Sequence, residues 1–434
     1  MRFLPNVWSV LVYILALGYS VQAVWPDGPL SSSGRWIVNT KGEHVTYAGV
    51  NWPGAADTMV PEGLQYQSIA SIVSKIKELG MNVIRLTYAT EMIDDILDNG
   101  GDVTVKESMI MALGAANGLK VFDQIVANNP QFDVKTTRLQ VFEVIAAECY
   151  LQQIYVHLDN HVSKAEWCCG SRDGNGWFGD LYFDVAKWQH GLEYMALQGA
   201  NWGNMMSMGM RNELRNSGSP TYGWPTWYTN MVAAAKAIYS VNPNTLIFFS
   251  GLNFDLDLSP IPHADPLSYD GLAFHNTDFE FQHRTVLELH VYEWVYYTPV
   301  CASLESSLGH AGVDSMLEDA INQLPVVISE WGHYQDGNGY GSVYSSCLRI
   351  YLPQIRAGWT VWVLAGSYYI RSGTQDLDET WGLLNHDWSD WRYADGIYNK
   401  IMPMVQASLS EVSELPYKTG TRKRLTNSTI RNKL

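Results

Sequence analysis

Eight short apolar runs recur along this chain, and most pairs of neighbours are separated by a stretch with helical spacing; that alternation limits the fold more than any other feature. The runs span residues 45–52, 82–88, 155–161, 205–213, 246–253, 286–293, 325–331 and 360–366. They are brief and nearly continuous in apolar character, as strands buried on both faces must be. Between them, residues 68–79 place Ile69, Ile72, Ile76 and Leu79 on one face and stop at Gly80, a helix with a glycine end. Residues 137–153, 224–240, 313–324 and 343–357 repeat the pattern. The arrangement predicts an α/β fold, a (β/α)8 TIM barrel forming one domain over residues 24–410. A doubly wound open sheet is the alternative, because periodicity does not reveal closure. A hairpin made of Trp36-Ile37-Val38 and Val45-Thr46-Tyr47 is expected ahead of the first barrel strand. Two connections, 99–129 and 162–182, exceed ordinary βα lengths and are expected to build the binding face.

The ends read differently from the middle. An apolar run from Val7 to Leu17 followed by Val21-Gln22-Ala23 has the form of a secretory signal over residues 1–23, and it is shorter than a spanning helix requires. The chain is therefore expected to be secreted and extracellular, with no membrane association. Residues 411–434 are polar, then basic, and lack apolar period, which predicts a disordered tail with a glycosylation sequon at Asn427. A net charge of −16 argues against nucleic acid as a partner, since phosphate binding needs clustered cations. A neutral ligand fits the balance better, and no cofactor motif stands out. The chain is expected to be a monomer.

Chemistry-bearing residues sit where the strands end. Glu213 follows the run Met205-Met206-Ser207-Met208-Gly209-Met210, and Glu330 lies in Val326-Val327-Ile328-Ser329-Glu330-Trp331. In a barrel both project at the C-terminal mouth, and two carboxyls across one cleft suit glycosidic-bond cleavage. His157-x-Asp159-x-His161 puts three side chains on one face of the third strand, a spacing that also permits a metal-dependent hydrolase. A carbohydrate-binding barrel without catalysis is a further alternative, although such a protein has no need of both acids. Arg85, in an apolar strand, is either half of a buried ion pair or a charge aimed into the mouth.

These residues and their surroundings resemble glycoside hydrolase family 5, the cellulase family, from about Trp36 to Tyr398. The resemblance is carried by Gly49-Val50-Asn51-Trp52, Asn82-Val83-Ile84-Arg85-Leu86, Leu158-Asp159-Asn160-His161, Asn212-Glu213, His290-Val291-Tyr292, Ile328-Ser329-Glu330-Trp331-Gly332 and Trp359-Thr360-Val361-Trp362. Trp167-Cys168-Cys169, Asp173-Gly174-Asn175-Gly176, Arg211-Asn212-Glu213-Leu214-Arg215 and Gly366-Ser367-Tyr368-Tyr369 look like a plant and fungal group, subfamily 11. The resemblance implies a β-linked oligo- or polysaccharide as substrate, without a metal or other cofactor, and a retaining mechanism. It implies Glu330 as nucleophile, Glu213 as acid/base, Asn212 on the sugar 2-hydroxyl and Tyr292 beside the nucleophile. Arg85, His161, His290 and Trp362 would line the first subsite. Most of the family has proline after the acid/base; the Leu214 found here matches the plant and fungal group and weakens transfer of the cellulase substrate.

Secretion makes the cysteines disulfide candidates, and five of them leave at least one unpaired within the chain. Cys301 with Cys347 is the preferred long-range bridge. Cys168 and Cys169 pair either with each other or elsewhere, and Cys149, in an amphipathic stretch, reads as a buried thiol.

Overall fold

The computed structural model describes residues 25–295 and 299–410. The expected signal segment 1–23 and the tail with Asn427 lie outside the described residues. A hairpin of β1 (Ser31–Ser33) and β2 (Trp36–Val38) comes first. The ladder partner of Trp36–Val38 is thus the Ser-rich segment before it; residues 45–47, expected in that role, form no strand with β2, and the chain there meets it through a Val38–His44 bridge and the Val45 amide's hydrogen bond to the Ile37 carbonyl at 2.8 Å. Leu30 and Ile37 pack with Tyr47, Val83, Tyr155, Leu246, Val286 and Val327, so this hairpin closes the barrel where its strands begin.

Eight strands follow: β3 (Ala48–Trp52), β4 (Val83–Ala89), β5 (Tyr155–Val162), β6 (Met205–Gly209), β7 (Leu246–Ser250), β8 (Thr285–Val291), β9 (Val326–Trp331) and β10 (Gly358–Val361). Every neighbouring pair is parallel, and β10 returns to pair with β3, with Trp359 opposite Ala48, which closes the barrel. The fold is a (β/α)8 TIM barrel, and the open sheet is excluded. Every residue of these strands is buried, which is why they read as unbroken apolar runs. The fourth run, 205–213, stops as a strand at Gly209. A Cβ there would lie 2.9 Å from Asp159 Oδ1, 3.1 Å from His157 Nε2 and 3.3 Å from Glu288 Oε1, so the polar centre of the barrel needs glycine at this position.

Helices form at Ile69–Glu78, Arg138–Leu151, Trp224–Val241 and Val343–Ile355, each within a few residues of its expected bounds. Thr137 and Gln140 start the second with a capping box. The stretch 313–324 departs from expectation. It makes one 3-10 turn, Val313–Met316, and Ile321 is left 61% exposed, while the helix of that connection is Cys301–Ala311. The connection 99–129 also departs: it folds into helices Val105–Leu113 and Ala115–Asn128, which bury Val105, Met109, Leu113, Phe122 and Ile125 and line no part of the cleft described below. After β10, an antiparallel hairpin, β11 (Ser367–Arg371) with β12 (Thr374–Asp378), stands over the mouth. Among the described residues no helix is long and apolar enough to cross a membrane.

Cys301 is bonded to Cys347 and Cys168 to Cys169, and Cys149 is a buried free thiol. The Cys301–Cys347 bond ties residues 46 positions apart, so its loss frees a long loop in the unfolded chain. Replacing both cysteines by serine should lower the unfolding free energy by about 3–4 kcal/mol in urea titrations, and an unchanged midpoint and slope would contradict a stabilising bond.

Candidate active site

The C-terminal ends of the barrel strands converge on one cleft of about 580 Å³. Its walls include His161 from β5, Asn212 and Glu213 from the segment after β6, Tyr292 just beyond β8, Glu330 on β9 and Trp362 just beyond β10. Arg85 on β4 and His290 on β8 lie beneath this floor, fully buried. All eight residues singled out in the sequence therefore meet in one place.

Arg85 is the hub. Its guanidinium donates to Glu330 Oε1 at 2.7 Å, Asn51 Oδ1 at 2.9 Å and Asn212 Oδ1 at 2.9 Å, and contacts Asp159 Oδ1 at 2.9 Å. Tyr292 donates its hydroxyl to the other oxygen of Glu330 at 2.8 Å. His290 Nδ1 stands 3.1 Å from Glu213 Oε1 and 3.6 Å from Glu330 Oε2. One oxygen of Glu213, one of Glu330 and a ring nitrogen of His290 all lie within 4.8 Å of one another. His161 is oriented by Asp159 at 2.7 Å and lies parallel to Trp362, with ring centroids 5.5 Å apart.

The two acids meet different surroundings. Burial pushes Glu213 up to about 7, and Asp159 adds to the shift; Arg215, His161 and Arg85 oppose it without cancelling it. Glu330 is not among the leading causes; burial leads. Glu330, in contrast, accepts a charge-assisted hydrogen bond from the Arg85 guanidinium and another from the Tyr292 hydroxyl. Burial lowers His290 to about 4, so the imidazole between the acids is neutral near pH 7. Burial works against the charge on Asp159, yet Arg85 and His161 outweigh it and hold its carboxyl down at about 2.

The metal-ligand spacing at His157, Asp159 and His161 is accounted for otherwise. His157 Nδ1 pairs with Ser207 Oγ at 2.8 Å, and Asp159 is shared between Arg85 and His161. Among the described residues, the clusters with donor atoms close enough to hold an ion are Cys168, Cys169 with Glu213, and Glu213, His290 with Glu330. The trio is not one of them.

The connection 162–182 does reach the cleft, through Trp167, Cys168 and Cys169. Two fully buried arginines flank the acid and bind this connection to it. Arg211 donates to Ser163 Oγ at 3.0 Å and to the Asn175 carbonyl at 2.6 Å. Arg215 donates to the carbonyls of Gly170 (2.8 Å) and Glu213 (2.7 Å) and pairs with Asp173 at 2.6 Å. Sequence reasoning missed Phe254, Trp294, Arg371, Glu379 and Trp381, which also line the cleft. Arg371 lies 3.5 Å above the Trp167 ring and bonds Glu379, while Trp294 stacks on Tyr292 with centroids 4.6 Å apart. A density of Trp and Tyr just past strand ends was the available signal, but loops carry no period to place it.

Comparison with known proteins agrees with this architecture. The sequence model described as Cellulase (glycosyl hydrolase family 5) matches residues 38–367. A glycosyl hydrolase 5 family protein of Chamaecyparis obtusa is 34% identical over 91% of this chain and 68% of its own length. Endoglucanase G of Acetivibrio thermocellus is 22% identical over 84% of this chain and 69% of its own. Among solved structures, the endocellulase of Pyrococcus horikoshii in complex with cellotetraose superposes with a TM-score of 0.66 at 19% identity, covering 87% of this chain and 99% of that one. The catalytic domain of the major endoglucanase of Xanthomonas campestris pv. campestris gives 0.64 at 18% identity, covering 87% and 99%. The chain belongs to glycosyl hydrolase family 5, the cellulase family, and is an O-glycosyl hydrolase.

Proposed function

We propose that this protein is a secreted, retaining β-glycoside hydrolase that acts on a β-linked glucan or related oligosaccharide with Glu330 as nucleophile and Glu213 as acid/base. The observation that carries the reading is the pair of acids whose nearest oxygens lie within 4.8 Å, one acid pushed up by burial and the other held by a cation and a hydroxyl. Retaining enzymes keep their carboxyls ~5–5.5 Å apart, whereas inverting ones leave room for water at roughly 6.5–9.5 Å. The names of the relatives, endoglucanases and an endocellulase bound to cellotetraose, support the choice of a β-glucan. The apolar segment before Val21-Gln22-Ala23 and the two disulfides support secretion.

In the first step a Glu330 oxygen attacks the anomeric carbon while Glu213 gives its proton to the departing glycosidic oxygen, so the C–O bond to the aglycone breaks as the bond to Glu330 forms. In the second step Glu213, now a carboxylate, takes a proton from water; the hydroxide portion bonds to the anomeric carbon and Glu330 leaves as a carboxylate. A sugar hydroxyl in place of water gives transglycosylation by the same route. Asn212, held from below by Arg85, faces the 2-hydroxyl side of the sugar, and Trp362, backed by His161, offers its face to the ring. His290 orients Glu213 without carrying charge itself.

Replacing Glu330 by Gln should cut kcat on β-glucan by roughly 10⁴-fold or more while circular dichroism at assay temperature stays native, and retained turnover would remove Glu330 from the role. The pH profile carries a sign. Glu213 must be protonated in the first step and its carboxyl is raised to about 7, so kcat/KM should hold below that pH and fall as pH rises through it. A basic limb near the ordinary carboxylate range would contradict the assignment.

A further inference from the structure

The turn that follows β7 does something its sequence does not announce. Asn253, Phe254 and Asp255 are three consecutive non-glycine residues at φ of 56°, 63° and 56°, and Glu213 itself sits at 50°. L-residues adopt this left-handed region as isolated residues, so a run of three persists only where surrounding contacts determine it. The Asn253 amide donates to the Tyr222 hydroxyl at 2.9 Å, and two further contacts reach the acid/base segment. The Phe254 amide donates to the Leu214 carbonyl at 2.9 Å, and the Glu213 amide donates to Asp255 Oδ2 at 2.7 Å. The His290 amide donates to the Asp255 carbonyl at 2.9 Å. The Asp255 side chain is fully buried, and its Oδ2 lies 3.7 Å from His290 Nε2 on the side opposite the Nδ1 that faces Glu213. Asp255 Oδ1 and His290 Nε2 have no hydrogen-bond partner among the described residues.

We propose that Asp255 is a positioning residue for the general acid: its carboxyl fixes the backbone of Glu213 through the Glu213 amide, and so aims the Glu213 carboxyl at the glycosidic oxygen. This rests on the reading of Glu213 as acid/base given above. The arrangement closes a loop, from the Asp255 carboxyl to the Glu213 amide, along the Glu213 side chain to His290 Nδ1, and through the His290 backbone amide back to the Asp255 carbonyl. Titratable or charged groups that face Asp255 are Glu288 and His290 from β8, Glu213 from the segment after β6, and Arg85 from β4. Burial is the largest influence on Asp255 and raises its carboxyl well above the ordinary range, with Glu288 adding to the shift. A residue that aims a proton donor matters only when the leaving group needs a proton. A general structural role makes no such distinction.

The test compares two aryl β-cellobiosides, 2,4-dinitrophenyl, whose phenolate departs unaided, and phenyl, which departs with a proton. In D255A, kcat/KM on the phenyl substrate should fall about 100-fold, the scale of a misplaced catalytic group, while the dinitrophenyl value stays within about threefold. D255N keeps an oxygen that accepts from the Glu213 amide and should restore most of the phenyl activity. Equal losses on both substrates, an unchanged phenyl value, or a D255N no better than D255A would overturn the proposal. Should D255A not fold, Asp255→Ser, too short to reach the amide, carries the same comparison. Wild-type protein inert on both substrates would overturn the glycosidase reading itself and this inference with it, an outcome distinct from equal losses in the variant.

Discussion

The structure depends on a single buried cation at the centre of the barrel mouth. Arg85 is fully buried and pairs with two carboxylates, Asp159 from the neighbouring strand β5 and Glu330 from β9, three strands away on the other side. A charge in such a place is tolerated only when it is paired and hydrogen-bonded, and removing one partner of a buried pair costs ~3–5 kcal/mol. Burial opposes the charge of Arg85, but the surrounding carboxyls overcome it and raise the guanidinium further. The strands β3, β4, β5, β6 and β9, which carry or precede Asn51, Arg85, Asp159, Asn212 and Glu330, must therefore keep their register for the cation to stay satisfied. The fold and the site share one requirement.

That requirement also sorts the acids. Five carboxyls, Asp159, Glu330, Glu288, Asp255 and Glu213, lie close enough to feel one guanidinium. Asp159 and Glu330 are in direct contact with it, and Asp159 is held down at about 2. Glu213, Asp255 and Glu288, farther away and desolvated, are raised: Glu213 and Glu288 to about 7, Asp255 well above its usual range. The division between a nucleophilic carboxylate and a protonated acid, which glycoside hydrolysis needs, follows from distance to Arg85 and from burial.

Much of this was legible before any coordinates. The barrel strands show as apolar runs because both faces of each are covered, and Glu213 and Glu330 show as polar residues at the ends of such runs. Where the reading strayed, local pattern and tertiary context disagreed. Val313, Met316, Leu317, Ile321 and Leu324 satisfy helical spacing, yet Ile321 faces solvent and the chain turns instead. The long connection 99–129 looked like a binding loop by length alone, but its apolar residues make helices that pack away from the cleft. Trp36–Val38 pairs backwards with serines, which carry no strand pattern. Arg371, Glu379 and Trp381 follow the eighth strand in and beyond a hairpin without period, and Asp255 acts through a backbone amide, so neither is visible in residue type or spacing.

The central claim is that Glu330 bonds covalently to the sugar while Glu213 manages the proton. Incubation with 2,4-dinitrophenyl 2-deoxy-2-fluoro-β-cellobioside, which slows the second step more than the first, followed by mass spectrometry of proteolytic peptides, tests it most directly. The account predicts a fluoro-cellobiosyl adduct on the peptide that contains Glu330, at that residue. An adduct on another residue, or release of dinitrophenol with no adduct on the protein, would contradict it.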